Sequence, residues 1–409
     1  MGFRRAVTEG AVNPLPSPEA APLVRSMSDD ARRLHGWDAA VTLVTPIERR
    51  PRVRWTRKSI LGALDRTWLI EAGHNLGLVS FEPLEDQFKR FNHLHYARWS
   101  LVDQLPRTSR DQPRETSPYT LLLFMSHFDF GWRRYLGTFI EVIGNGMQHF
   151  WGDAPSWRAP SDGFSRFEKF VEDQMVKHGH LFAAYPNWSC NDVRSALRIH
   201  YECESVGLGD DVLREHAGRA VAEDARRRGL VRRLQHCLGN ITPICSAYDG
   251  VRAATRPEDP YPAQGLTYLV PLPRNAAAEV AEMLADLPYG PSSPFAMVPG
   301  THFARMALID DCYFERQPKV DAFRSAYLLL SAEVDGDADA WLRTLFEDEA
   351  MREVISRCWG STREADAPIF LRPCRIRKTV EYIDYPMTTV ADIFAASRGL
   401  AGHYRELLS

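Results

Sequence analysis

Two segments of this sequence carry the same pair of reactive side chains. His95 and Arg98 stand in His95-Tyr-Ala-Arg-Trp-Ser-Leu-Val-Asp103, and His302 and Arg305 stand in His302-Phe-Ala-Arg-Met-Ala-Leu-Ile-Asp310. Arginine steadies an oxyanion or a peroxide oxygen and histidine moves protons near neutral pH, so this pairing is the first candidate for catalysis. Parity works against it. Alternate side chains on a strand share a face, which groups His95 with Ala97, Trp99 and Leu101, and Arg98 with Tyr96, Ser100 and Val102. Without a bulge the two cannot line one pocket, and the plainer reading is a structural job common to both segments, such as bonding a neighbouring loop.

Other polar groups are weaker candidates. His93-Leu-His95 and His178-Gly-His180 have the spacing that puts two imidazoles on one strand face, but no carboxylates stand beside them at ligand spacing, so no metal centre is expected. His127 and Asp129 close one apolar run where Glu333 and Asp335 close another, each just before a predicted helix, so Asp129 and Asp335 are expected to cap those helices. The short motifs GxxxxGK[ST], GxGxxG after a strand, GxSxG, HExxH and paired CxxC are absent. Seven scattered cysteines, an odd count, are expected to be free thiols.

The elements that position these residues come in two copies. The two His-x-x-Arg segments are offset by 207 residues, and further matches follow in order: Leu121 to Asp129 with Tyr327 to Asp335, Trp151-Gly152 with Trp359-Gly360, and Tyr185-Pro186 with Tyr385-Pro386. An earlier pair sets Thr42 to Ile47 against Thr267 to Leu272, β-branched and apolar residues broken by a proline that suits a strand end. Helices are predicted at Trp55 to Trp68 and at Asn275 to Leu287, the latter with Asn275 as N-cap. Two more are predicted at Trp132 to Ile143 and Ala338 to Phe346, where apolar residues recur at helical spacing. Fourth strands are placed at His180 to Tyr185 and between Pro368 and Tyr385, and the repeated Tyr-Pro pairs are read as strand ends.

The order βαββαβ is the ferredoxin-like unit. The predicted class is α+β: two tandem ferredoxin-like repeats packed sheet to sheet, because a sheet with helices on one face leaves the other bare for a partner. The expected organisation is a mobile arm at 1–37, a first repeat at 38–200, a helical connector and linker at 201–261, and a second repeat at 262–409. In element order and duplication the chain resembles the tandem form of the dimeric α+β barrel superfamily, which includes dye-decolourising peroxidases, chlorite dismutase-like proteins and cofactor-free monooxygenases. In its repeated HYAR and THFAR strands it is similar to an uncharacterised bacterial group of such proteins.

The resemblance implies a haem-dependent oxidoreductase of peroxidase-like type acting on a small, largely apolar molecule. In that reading haem b sits between a sheet and the helices of one repeat. His149, which follows the long first-repeat helix and has no counterpart in the second, would be the axial ligand, with Trp151 packed on the porphyrin. Arg98 or Arg305 with Asp129 would act on the bound oxygen species, although the Gly-x-x-Asp-Gly motif of dye-decolourising peroxidases is not matched, and His95 and His302 complete the candidate set. Two other readings stay open. One is a cofactor-free oxygenase, cyclase or isomerase with an apolar pocket built from the abundant aromatics, 11% of the chain. The other is a non-catalytic binding or scaffold protein.

Composition bounds the remainder. Lys and Arg number 50 against 53 Asp and Glu, a net charge of -3, which gives no basic field for nucleic acid. No apolar run reaches the roughly 18–20 residues of a membrane span, so a cytoplasmic protein, with the capacity to form a homo-oligomer, is expected.

Overall fold

The computed structural model describes residues 38–48, 91, 93–115, 119–129, 131–143, 147–155, 157–186, 188–206, 263–311, 323–362, 366–377 and 380–397. The expected N-terminal arm, the helix at 55–68 and the connector and linker beyond residue 206 lie outside these residues.

In chain order the strands are β1 (Asp38–Glu48), β2 (Leu94–Val102), β3 (Tyr119–Asp129), β4 (His178–Ala183), β5 (Ala263–Leu272), β6 (Thr301–Ile309), β7 (Ala326–Asp335) and β8 (Val380–Ile383). They form two four-stranded antiparallel sheets, ordered β1-β3-β2-β8 and β4-β6-β7-β5. The α+β class is as predicted, but the sheets do not divide as expected. Each half was expected to complete its own sheet, whereas its fourth strand joins the other half: β4 pairs with β6, and β8 pairs with β2. The edges of the two sheets are joined within each half. Val176, leading into β4, donates its N–H to the Thr42 carbonyl of β1 at 2.9 Å, and Ile376, leading into β8, donates to the Thr267 carbonyl of β5 at 2.8 Å. Together with the bridges Leu43–Met175 and Tyr268–Arg375, these bonds pair part of each edge strand, β1 and β5.

The helices, α1 (Trp132–Ile143), α2 (Met147–Trp151), α3 (Phe164–Gln174), α4 (Cys190–Val206), α5 (Ala277–Asp286), α6 (Ala338–Leu345), α7 (Glu349–Ser356) and α8 (Ala367–Leu371), cover the outer faces, and residues 390–397 are also helical. α1 forms where predicted because Trp132, Tyr135, Leu136, Phe139 and Ile143 make one apolar stripe, and all five are buried. The stripe covers Trp99, Leu122, Phe124 and Phe128 of the first sheet. On the second sheet, α5 lays Val280 and Leu284 down, and α6 lays down Trp341, Leu342 and Leu345. Asp337, Asp348 and Asp366 cap α6, α7 and α8, each accepting a backbone N–H at the third helical position. Asn275 is not the N-cap expected of it. A 3₁₀ turn, Arg274–Ala276, precedes α5, and that helix has no side-chain cap.

β3 and β7 are buried along nearly their whole length because both faces are covered. Between the sheets the layer is segregated along the strands. Val44, Val102, Leu121, Leu123, Leu269, Ala307, Ile309 and Leu329 fill one end. The polar candidates fill the other.

Candidate functional site

The parity objection fails because both strands carry the bulge it excluded. The β2–β3 register shifts between Leu94 and Tyr96, at His95, and the β6–β7 register shifts between Thr301 and Phe303, at His302. Each extra residue turns its imidazole into the space between the sheets, to the side that Arg98 and Arg305 already face. The His95 ring lies 5.3 Å from Phe303 of the opposite sheet, and Arg98 reaches the Leu266 carbonyl there at 2.6 Å.

The bulged histidines sit in one continuous chain. His95 Nε2 is 2.9 Å from Asp129 Oδ1, and its Nδ1 is 2.5 Å from the Tyr385 hydroxyl. The Tyr385 and Tyr185 hydroxyls are 3.2 Å apart. Tyr185 is 2.9 Å from His302 Nδ1, and His302 Nε2 is 2.9 Å from Asp335 Oδ1. Five of the six residues are buried, and Asp335 at the end of β7 is half-buried. The exchange of fourth strands builds this arrangement, since Tyr185 follows β4 and Tyr385 follows β8, so each tyrosine is delivered to the histidine of the other half.

Asp129 and Asp335 do cap helices, but not the ones that follow them in sequence. Asp129 Oδ2 accepts the Cys190 N–H of α4 at 2.9 Å, and Asp335 Oδ2 accepts the Val390 N–H of the helical segment 390–397 at 2.8 Å. Capping boxes stand beside them, Ser189 with Asp192 and Thr389 with Asp392. Each aspartate therefore ties a helix start to a buried imidazole.

The arginines lie one step deeper. The Arg98 guanidinium donates to the Leu266 and Ala332 carbonyls, to Thr267 and Ser331, and to two carboxylates, Glu333 at 2.7 Å and Glu381 at 3.0 Å. Gly265 makes room for this: a Cβ there would meet Arg98 Nη2 and Glu381 Oε1 at 1.9 Å. Among the described residues Arg305 donates to neutral acceptors, the Val41 and Ser126 carbonyls and the Thr42 hydroxyl, and its Nε has no hydrogen-bond partner there. Burial pulls the Arg305 guanidinium down to about 10, and burial pushes the Glu333 carboxyl up against the pull of Arg98 and Arg305. His127, the first-half counterpart of Glu333, stacks on Phe303 at 4.4 Å with its Nε2 3.7 Å from Glu333.

The other sequence candidates are scattered. His93 leaves the inter-sheet layer, its ring 6.0 Å from Phe91 and 6.4 Å from Tyr135, because the bulge parts it from His95. A second bulge, between His178 and His180, breaks that pair too, and His180 bonds the Ser293 hydroxyl at 3.0 Å. Among the described residues no three His, Cys, Asp or Glu side chains converge as metal ligands. Cys190 is buried with its thiol 2.9 Å from Asp384, which also binds Arg194 and Tyr382. Burial pushes that thiol well above its ordinary value, so it is no nucleophile at neutral pH.

Among the described residues, those between the first sheet and its helices leave no space for a porphyrin. His149 lies in α2, with its side chain outside the described residues. Trp151 is wedged edge-on against Phe124, and Trp99 stacks on Phe150 at 5.1 Å. The gap left among Phe124, Trp132, Phe139, Trp151 and Phe170 is about 20 Å³, room for one water rather than a macrocycle. The larger space is a groove of about 780 Å³ on the outside, floored by Ala277, Ala281, Leu284 and Ala285 of α5 with Val44 and Leu308, and rimmed by Asp173, Lys177, Arg274 and Asp310. Sequence reasoning missed it, since nothing in an alanine-rich helix distinguishes a floor from a surface.

The chain matches no protein-family model and no curated protein. No helix among the described residues is long and apolar enough to cross a membrane.

Proposed function

We propose that this chain is a non-catalytic binding protein of the tandem dimeric α+β barrel type, taking a small, largely apolar molecule in the groove beside α5. The crossed fourth strands and the bonds that join the sheet edges support the barrel reading. The observation that carries the function is that the repeated histidines and Arg98 spend hydrogen-bonding groups on partners supplied largely by the opposite half, so that among the described residues they form a buried, internally bonded polar layer. Burial holds the phenols of Tyr96 and Tyr385 well above their ordinary value, so neither serves as a base near neutral pH. The groove falls within the roughly 300–1,000 Å³ range of small-molecule sites, with apolar walls and a few charges at the rim.

The test is saturable binding of an environment-sensitive apolar dye, 1-anilinonaphthalene-8-sulfonate, to the native protein and to Ala281→Trp, which fills the groove. Saturable binding that the substitution abolishes is the expected result. Equal binding by both proteins overturns it. A Soret band on adding hemin, lost in His149→Ala, would restore the haem-dependent, peroxidase-like reading in its place.

A further inference from the structure

The groove beside α5 carries its charges where the strands of the second sheet stop. Pro271 of β5 and Ile309 of β6 both stand opposite Tyr327 of β7, so those two strands end at the same level. Arg274 follows the first, and Asp310 and Asp311 follow the second. Lys177 comes from the other wall, immediately before His178, which pairs with Ala307 near the same end of β6. From here the floor runs along α5 from Ala277 to Ala285, about 12 Å of helix. Leu284 lies so close to Gly179 of β4 that a Cβ there would meet it at 2.8 Å, which closes the floor against the wall.

The charges at this end do not satisfy one another. Asp173 is held by Lys169 at 2.8 Å, and Arg274 donates to the Phe323 carbonyl. Lys177 and Asp310 are both exposed and line the same groove, yet among the described residues neither makes a hydrogen bond or an ion pair. Opposite charges that share a rim without touching leave an interval that a molecule bearing both signs can bridge. An anionic head alone would meet Lys177 but crowd Asp310, and a cationic head alone would do the reverse, because like charges brought together across an interface repel. A head carrying both signs pairs with both.

We infer that the groove selects a zwitterionic amphiphile, with an ammonium group facing Asp310, an anionic group facing Lys177 and an apolar tail laid over Ala277, Ala281 and Ala285. The inference rests on the reading of this groove as the binding site and adds the chemistry that the site prefers. Contact of the tail with the alanine floor supplies the affinity, and the two ion pairs supply the discrimination. An apolar α-amino acid and the choline phosphate head of a lipid share this chemistry.

The test is displacement of 1-anilinonaphthalene-8-sulfonate from the native protein by four compounds of matched chain length, each below its micelle concentration. Two are zwitterions, 2-aminodecanoate and decylphosphocholine, and two carry a single charge, decanoate and decyltrimethylammonium. At least one zwitterion should displace the dye at about one-fifth of the concentration that either singly charged compound needs, equivalent to about 1 kcal/mol, the scale of one exposed ion pair. Which zwitterion does so separates an amino acid from a lipid head. Lys177→Gln should erase the advantage over the cation, and Asp310→Asn the advantage over the anion, since each removes one of the two pairs. No advantage for either zwitterion, or an advantage that survives either substitution, overturns the inference and leaves the groove reading standing. Dye binding unchanged by Ala281→Trp ends both.

Discussion

Arg98 and Arg305 occupy equivalent places in the two halves, but Arg98 is bonded to two carboxylates and Arg305 to neutral acceptors, so replacing each by methionine should cost different amounts of stability. Arg98→Met leaves Glu333 and Glu381, 2% and 10% exposed, without their cation. Removing one partner of a buried pair costs about 3–5 kcal/mol. Arg305→Met removes a charge held at a disadvantage. Its displacement from the ordinary guanidinium value to about 10 corresponds to about 3 kcal/mol against the charged form, which offsets much of the loss of its bonds to Val41, Thr42 and Ser126. A net loss of no more than about 2 kcal/mol is expected there. The assay is equilibrium urea unfolding followed by far-ultraviolet circular dichroism, repeated from pH 4 to pH 8. A carboxyl raised by burial favours the fold below its unfolded value and ceases to do so as pH rises through its folded value. The deficit of Arg98→Met should therefore be smallest near about pH 4 and widen upward as Glu333 ionises without its partner. Equal losses for the two variants, or an Arg98→Met deficit indifferent to pH, would refute the reasoning.

Gly265→Ala should destabilise by about 1–3 kcal/mol through its overlap with the Arg98–Glu381 pair, and the same urea midpoints measure it; an unchanged midpoint would mean the pair can move aside. Ser189→Ala and Thr389→Ala should each cost about 1 kcal/mol and match each other, because the two capping boxes are built alike. Cys190, Cys358 and Cys374, whose thiols burial pushes upward, should resist iodoacetamide in the native protein and react after denaturation, as peptide mass mapping would show.

The strands and helices with strong periodicity were legible: α1 spans Trp132–Ile143 as read, and β2 and β6 carry the repeated His and Arg. The bulges were not. A period-2 pattern gives no sign of an extra residue at His95 or His302, and that one residue converts an apparent two-faced pair into a single buried layer. Tyr185 and Tyr385 were visible as repeats but read as strand ends, because their role depends on contacts 117 and 290 residues away in the chain. The destination of β4 and β8 was equally hidden, since either half offers a β-edge of similar composition and only the closed assembly selects between them. Asp129 and Asp335 were identified as caps, with the wrong helices, because sequence proximity favours the next helix over one that packs back from beyond the fourth strand.

The crossing of fourth strands has a consequence for how the polypeptide is made. While the ribosome is still extending the second half, β2 presents a row of unpaired backbone groups, and the strand that covers it, Val380–Ile383, emerges only after the other seven strands. The first sheet must wait for a strand from the second half, a topology of slow closure in which the nascent edge is open to capture by a neighbouring copy. Conversely, two polypeptides divided between residues 206 and 263 would each lack one strand and carry the strand the other needs, so that co-expressed fragments should associate through mutual completion of their sheets.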